Sequence, residues 1–304
     1  MNEKVRIYVG TDRSQALAVK VLEHSIKRHT SLDVTVIPMC DLPIRSPKDI
    51  RNGQRTGFSF SRFCIPELAG YQGRAIYMDA DMLVFKDIAS LWNIPFDGAK
   101  VIVQQEVKYQ GVTTKKRGAP RERRKQCSVM LLDCDHLDWK IDKIIDGLDR
   151  GDYDYARLMY DFCLLRDDEI KYGIPFEWNS LEYYDEGTCL IHYTDVSTQP
   201  WTSCHNKNSD LWFQEIRLML QNGALKVDEL EAEIRLGFFR PSLFWDIKYR
   251  PYVPALCWPV CNVVNTWRDA LLQYRPHRKV YEAKQQRLLA EEEHARSSCG
   301  SRMC

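Results

Sequence analysis

The chain has 304 residues, with 43 basic and 42 acidic side chains and a formal net charge of +1. That near-cancellation argues against a protein that coats nucleic acid, because phosphate neutralisation draws on a basic excess. A content of 44% hydrophobic and 11% aromatic residues excludes an acidic disordered chain and allows a sizeable core, in one large α/β domain or one domain with an appendage. Met1 to Lys4 run straight into Val5-Arg6-Ile7-Tyr8-Val9, a strand closed by Gly10, too short an apolar run for a signal peptide. The spacing of Ala16, Val19, Leu22 and Ile26 predicts a helix over 14–28 with Ser14 as its cap. Further strands are predicted over 33–37, 74–78, 100–104 and 127–132, with a helix over 61–69. Alternating strands and helices predict a mostly parallel sheet with helices on both faces, and ligands in such sheets bind beyond the carboxyl ends of strands. Asp12 and Asp79 stand there. From about residue 205 the pattern changes to helices over 209–221 and 227–236, a Pro- and aromatic-rich stretch from Pro241 to Pro259, and a solvated helix over 281–296. The eleven cysteines are odd in number and scattered; Cys257 and Cys261 have no second pair to complete a zinc site, so reduced thiols in a cytoplasmic protein are expected. No stretch of about 18 apolar residues predicts a membrane span.

Asp79-Ala80-Asp81 is the sharpest local feature. Two carboxylates flanking a small residue at a strand end converge where backbone pairing stops, and close like charges are costly unless a cation lies between them. A hard divalent ion such as Mn²⁺ or Mg²⁺ answers that need; a turn with two solvated aspartates is the plainer alternative. Apolar sequence on both sides, with Met82-Leu83-Val84-Phe85 after the pair, is more than a solvated turn requires. His192, after Cys189-Leu190-Ile191, reads either as a nitrogen ligand to the same ion, suiting Mn²⁺ better than Mg²⁺, or as a structural histidine. Pro200-Trp201 reads equally as a packing anchor. The stretch 115–125 is basic at seven of eleven positions: a solvated loop, an anion-binding flap, or a targeting or membrane-surface patch.

Taken in order, Tyr8-Val9-Gly10-Thr11-Asp12, Phe58-Ser59-Phe60-Ser61-Arg62, Tyr77 to Val84, Ser128 to Asp133, Phe176-Glu177-Trp178-Asn179 and His192-Tyr193-Thr194 resemble the retaining nucleotide-sugar glycosyltransferases of family 8, over roughly residues 5–202. The resemblance implies the GT-A fold, with residues 1–204 as the nucleotide-sugar-binding catalytic domain and 205–304 as a helical C-terminal extension. It implies Mn²⁺ on Asp79, Asp81 and His192, a UDP-sugar donor, and a saccharide or glycoconjugate acceptor. By the same resemblance Asp79 also reaches the ribose, Thr11 and Asp12 face the uracil, Tyr8 and Val9 shape that pocket, and Arg62 lies by the donor sugar or ribose. Ser128 falls near the sugar pocket. Trp178 and Asn179 fall towards the acceptor, Asn179 being counted with Asp79 and Asp81 as catalytic, and Gln199 and Trp201 are counted as substrate-binding. Two departures stand out: Gln199 occupies the position of the family's diphosphate-contacting lysine, and the family's Asp-Gln-Asp element is missing, with Asp161, Asp167 and Asp168 as nearby acids.

Two rival readings remain. Phosphatases of the haloacid-dehalogenase type also place Asp-x-Asp after an apolar strand, with a later acidic pair such as Asp167-Asp168; nearly eighty residues before the motif argue against that. A GT-A domain kept as a non-catalytic UDP-sugar-binding scaffold is the other. The C-terminal extension is expected to serve as an acceptor surface, a peripheral membrane contact or an oligomer interface.

Overall fold

The computed structural model describes residues 4–104, 127–277, 281–282, 284–290 and 292. The basic stretch 115–125 lies outside them. Strand β1 (Val5–Gly10) pairs in parallel with β2 (Val34–Met39) on one side and β3 (Arg74–Asp79) on the other. The sheet continues through β6 (Val129–Asp133) and β5 (Val101–Gln104) to β7 (Ile170–Ile174), in the order β2-β1-β3-β6-β5-β7. Only β6 runs against its neighbours, so three of the five pairings are parallel. This is the mixed, mostly parallel α/β sheet of the GT-A fold.

Period-two alternation sends β1 and β3 side chains to two cores. Tyr8, Ala75 and Tyr77 join Phe60, Phe63 and the helices α4 (Ile141–Arg150) and α5 (Tyr155–Tyr160) on one face. Ile7, Val9, Ile76 and Met78 join Val19, Leu22 and Ile26 of α1 (Ala16–Arg28) and Leu91 and Trp92 of α3 (Ala89–Trp92) on the other. Helix α1 follows a 3₁₀ turn over Arg13–Gln15 whose cap is Asp12 rather than the expected Ser14: Asp12 Oδ1 accepts from the Ser14 N–H at 2.9 Å and from Ser14 Oγ at 2.5 Å. The helix expected over 61–69 is a 3₁₀ turn, Ser61–Cys64, running into a short α2 (Ile65–Leu68) with Pro66 in its first turn.

Beyond β3 the chain leaves the main sheet for a smaller one. Strand β4 (Met82–Val84) pairs antiparallel with β9 (Leu190–His192), which pairs in parallel with β8 (Ser180–Leu181). Helices α6 (Ser209–Asn222) and α7 (Val227–Arg235) follow, and the Pro- and aromatic-rich stretch contains two more, α8 (Leu243–Tyr249) and α9 (Trp258–Leu271). These segments pack on the rest of the chain. Trp212, Phe213 and Ile216 of α6 share a third core with Leu17 and Val21 of α1, Leu83 and Ile191. Buried Glu215 of α6 binds His24 Nδ1 at 2.5 Å and Arg28 Nη2 at 2.8 Å.

Candidate functional site

Asp79 ends β3 in register with Gly10 of β1, and Asp81 precedes β4, so the Asp-Ala-Asp turn sits where the chain passes between sheets. Strand β9 lays His192 opposite Met82, and the Tyr193 N–H donates to the Asp81 carbonyl at 2.8 Å. Three ligand atoms, one each from Asp79, Asp81 and His192, thereby lie within 4.8 Å of one another. His192 Nε2 stands 3.1 Å from Asp81 Oδ1 and 4.0 Å from Asp79 Oδ2.

Each member is held from behind. Tyr77 Oη donates to Asp79 Oδ1 at 2.5 Å, and Arg62 Nη2 donates to Tyr77 Oη at 3.0 Å while lying 3.5 Å from Asp79 Oδ1. The Arg62 guanidinium stacks on the Tyr77 ring at 4.4 Å, with Nε on the Ser59 carbonyl and Nη1 on that of Cys127. Gly10 permits this: a Cβ there would fall 2.3 Å from Tyr77 Oη. Asp81 Oδ2 accepts from Gln199 Nε2 at 2.8 Å. Asp81 Oδ1 is buried and, although at ion-pair distance from His192, takes part in no aligned hydrogen bond.

The orientation of His192 follows from a buried amide chain. Asn179 Nδ2 donates to Gln104 Oε1 at 3.1 Å and to Ser128 Oγ at 3.0 Å, and Gln104 Nε2 donates to the Asn179 carbonyl at 3.2 Å. Both amides are therefore oriented by their partners. Asn179 Oδ1 must then accept from His192 Nδ1, 3.0 Å away, so that in the neutral ring Nε2 turns its lone pair towards the two carboxylates. Burial disfavours a charged ring, but Asp81 and Asp79 outweigh it and His192 titrates above its ordinary value. Burial likewise raises Asp79, against Arg62 and with Asp81. Two carboxylates and a nitrogen lone pair thus face one point that calls for a cation, and a histidine whose second nitrogen is hydrogen-bonded is the usual metal-site arrangement. The residues fit a divalent ion of the Mn²⁺ or Mg²⁺ kind.

The other residues singled out from sequence take different places. Thr11 is buried at the end of β1, and Asp12 is half-buried and engaged with Ser14. Tyr8 lies in the core under the sheet, Trp178 in the core on the opposite face, and Trp201 in the third core, 5.3 Å from Trp212 and 6.2 Å from Phe239. Gln199 is fully buried, its amide on Asp81 and on the Tyr193 carbonyl at 3.2 Å, and its Oε1 has no partner. Asp167 and Asp168 lie in a turn before β7, Asp168 paired with Arg166 at 3.0 Å, and neither belongs to the three-ligand cluster found among the described residues. Two neighbours were missed. Gln104 announces itself as a polar residue ending an apolar run. His277 gives no sequence signal: it follows α9, lies against the Val196 backbone within reach of the Asp12 and Asp81 charges, and its Nε2 is buried without a partner. Burial holds it below its ordinary value, against those two charges.

A doubly flanked sheet with an Asp-Ala-Asp/His cluster that could hold a cation at its carboxyl edge is the arrangement expected of the GT-A nucleotide-sugar transferases. The model of the family "Glycosyl transferase family 8" matches residues 3–129. Protein CDI of Arabidopsis thaliana is 30% identical over 233 residues, covering 69% of this chain and 85% of that protein. The chain belongs to the family 8-like nucleotide-sugar glycosyltransferases. Among solved structures, the glycosyltransferase GlyE of Streptococcus pneumoniae TIGR4 shares the fold, with a TM-score of 0.52 at 15% identity over 70% of this chain. The chain spans 60% of the length of GlyE. The galactosyltransferase LgtC, solved with donor and acceptor sugar analogues, aligns with a TM-score of 0.49 at 13% identity, over 75% of this chain and 100% of that one.

Proposed function

We propose that the protein is a retaining, Mn²⁺-dependent glycosyltransferase that moves a hexose from a UDP-sugar to a saccharide or glycoconjugate. Residues 1–204 form its nucleotide-sugar unit and 205–304 its extension. The observation that carries this reading is the convergence of Asp79, Asp81 and a His192 whose Nε2 lone pair is turned inward by Asn179. These three residues hold the ion, and the imidazole nitrogen favours Mn²⁺ over Mg²⁺. A divalent ion held there would supply charge neutralisation for a diphosphate leaving group.

The chain's own residues position the donor. Thr11 and Asp12 meet the uracil, supported from the core by Tyr8, and Asp79 reaches the ribose. Arg62, braced on Tyr77 and Asp79, lies beside the ribose and sugar, where a planar guanidinium suits hydroxyls and phosphate. Ser128 and Asn179 act through His192. Trp178 and Trp201 shape the site from the cores behind it. Gln199 restrains Asp81 in place of contacting the diphosphate, so the leaving-group charge would rest on the ion.

Screening UDP-glucose, UDP-galactose, UDP-N-acetylglucosamine and UDP-N-acetylgalactosamine for Mn²⁺-dependent UDP release tests this. One donor is expected to give turnover that Asp81→Ala abolishes. Mg²⁺-dependent hydrolysis of p-nitrophenyl phosphate would instead favour the phosphatase, and Mn²⁺-dependent UDP binding without turnover of any donor would favour the scaffold.

A further inference from the structure

Helix α9 is amphipathic in the reverse sense to an ordinary surface helix, which turns its apolar stripe to the core. Its buried residues are polar. Asn265 Nδ2 donates to Asp246 Oδ1 at 3.0 Å, and Asp269 accepts from the Ser242 N–H at 2.8 Å and from Ser242 Oγ at 2.7 Å. The opposite stripe, Val260, Val263, Val264, Trp267 and Leu271, follows i, i+3, i+4, i+7 and i+11 and faces outward, with Trp267 69% and Leu271 79% exposed. Leu256 and Tyr252, in the turns leading into the helix, extend it at 92% and 84% exposure. Trp245 and Tyr249 of α8 are also exposed, their tilted rings 4.9 Å apart. Contiguous exposed apolar surface of this kind marks an interaction site.

Charge selects the partner. Between 241 and 277 the acidic residues are Asp246 and Asp269, and both are buried in the Arg240, Ser242 and Asn265 network. Lys248 and Arg275 are exposed, and half-buried Arg268 lies over the Trp245 ring at 5.1 Å. A segment whose exposed charges are basic, with Trp and Tyr among aliphatic side chains, matches a bilayer interface carrying anionic lipid. No helix among the described residues is long and apolar enough to cross a membrane, so such contact is in-plane.

We propose that the outward face of α9, with its lead-in turns, is a docking surface for anionic membranes, laying the chain on the bilayer by the Val260–Leu271 stripe. The proposal stands independently of the donor and metal assigned above.

Sedimentation of the full chain with phosphatidylcholine–phosphatidylserine vesicles tests it. The wild type is expected to pellet with these vesicles, less with phosphatidylcholine alone, and less in high salt. Trp267→Glu and Val264→Glu should each weaken partitioning about tenfold or more, because each sets a carboxylate into the inserted stripe. Both positions are exposed, so the fold is not at stake, and Leu68→Glu, an exposed leucine on α2, is the matched control and should bind as wild type. Equal partitioning of Trp267→Glu and wild type would overturn the proposal. So would a dimer by light scattering that Val264→Glu converts to monomer, since a second copy would then cover the stripe.

Discussion

Asn179 shows how much of the three-ligand cluster depends on a residue outside it. Its amide is fixed by Gln104 and Ser128, and it fixes in turn which nitrogen of His192 carries the proton. Asn179→Ala should weaken Mn²⁺ binding about 10–100-fold, the usual effect of losing an outer partner of a metal-bound histidine. Nitrogen chemical shifts should show the His192 Nδ1–H tautomer giving way to a mixture, with thermal unfolding still cooperative. An unchanged tautomer together with unchanged affinity would remove Asn179 from this role. Gly10 makes a steric argument at the same spot. In Gly10→Ala the new Cβ would press on Tyr77 Oη, which donates to Asp79, and neither Tyr77 nor Arg62 has room in the buried stack. Overpacking of this kind costs about 1–3 kcal/mol. Denaturant melts should show that loss and titration calorimetry weaker Mn²⁺ binding; wild-type values in both would mean the stack yields freely.

At the scale of elements, what the sequence made legible follows from where each element gets its stability. Strands β1, β3, β5 and β6 are apolar runs that announce themselves, and with them the positions of Asp12, Asp79 and Asp81. The small sheet is different: β4, β8 and β9 have three, two and three residues, too few for any periodicity, and exist because their partners pair with them. His192 was therefore readable as a candidate, but its place opposite Met82 was not. Trp178 and Trp201 count as site residues through the family resemblance, with Trp201 reading equally as a packing anchor, and their burial in cores depends on long-range packing. Helices α8 and α9 were hidden among prolines, although Pro259 stands in the first turn of α9, where proline is tolerated. The buried joint between α8 and α9 is open to test. Arg240, fully buried, binds Asp246 Oδ2 and Ser242 Oγ at 2.5 Å each, and its own N–H donates to the Trp201 carbonyl at 2.9 Å. Asp246→Ala leaves that guanidinium uncompensated and should destabilise the chain by about 3–5 kcal/mol. Asp246→Leu with Arg240→Met should recover most of it. Melting curves that rank the double variant below the single would contradict the assignment.

For the molecule as a whole, the balance of 43 basic against 42 acidic side chains describes a protein with no bulk attraction for an anionic substrate. Positive charge is placed locally instead. Arg62 lies behind Asp79, and in the C-terminal segment Lys248 and Arg275 stand exposed. Asp79, Asp81 and His192 together concentrate electron pairs where a nucleotide would bring more negative charge, so a divalent ion would relieve repulsion within the site. Folding and ion binding are then linked, since the three ligands come together only when β3, β4 and β9 are in place. An ion at a hundred times its dissociation constant stabilises the folded chain by about 2.7 kcal/mol. For a chain of this length that raises Tm by roughly 4 °C. Stripping with EDTA should lower Tm by that amount and excess Mn²⁺ should restore it, whereas Asp81→Asn should melt at one temperature whether or not Mn²⁺ is present. A wild-type Tm indifferent to EDTA and Mn²⁺ would argue that the pairing of His192 with Asp81 satisfies the site by itself.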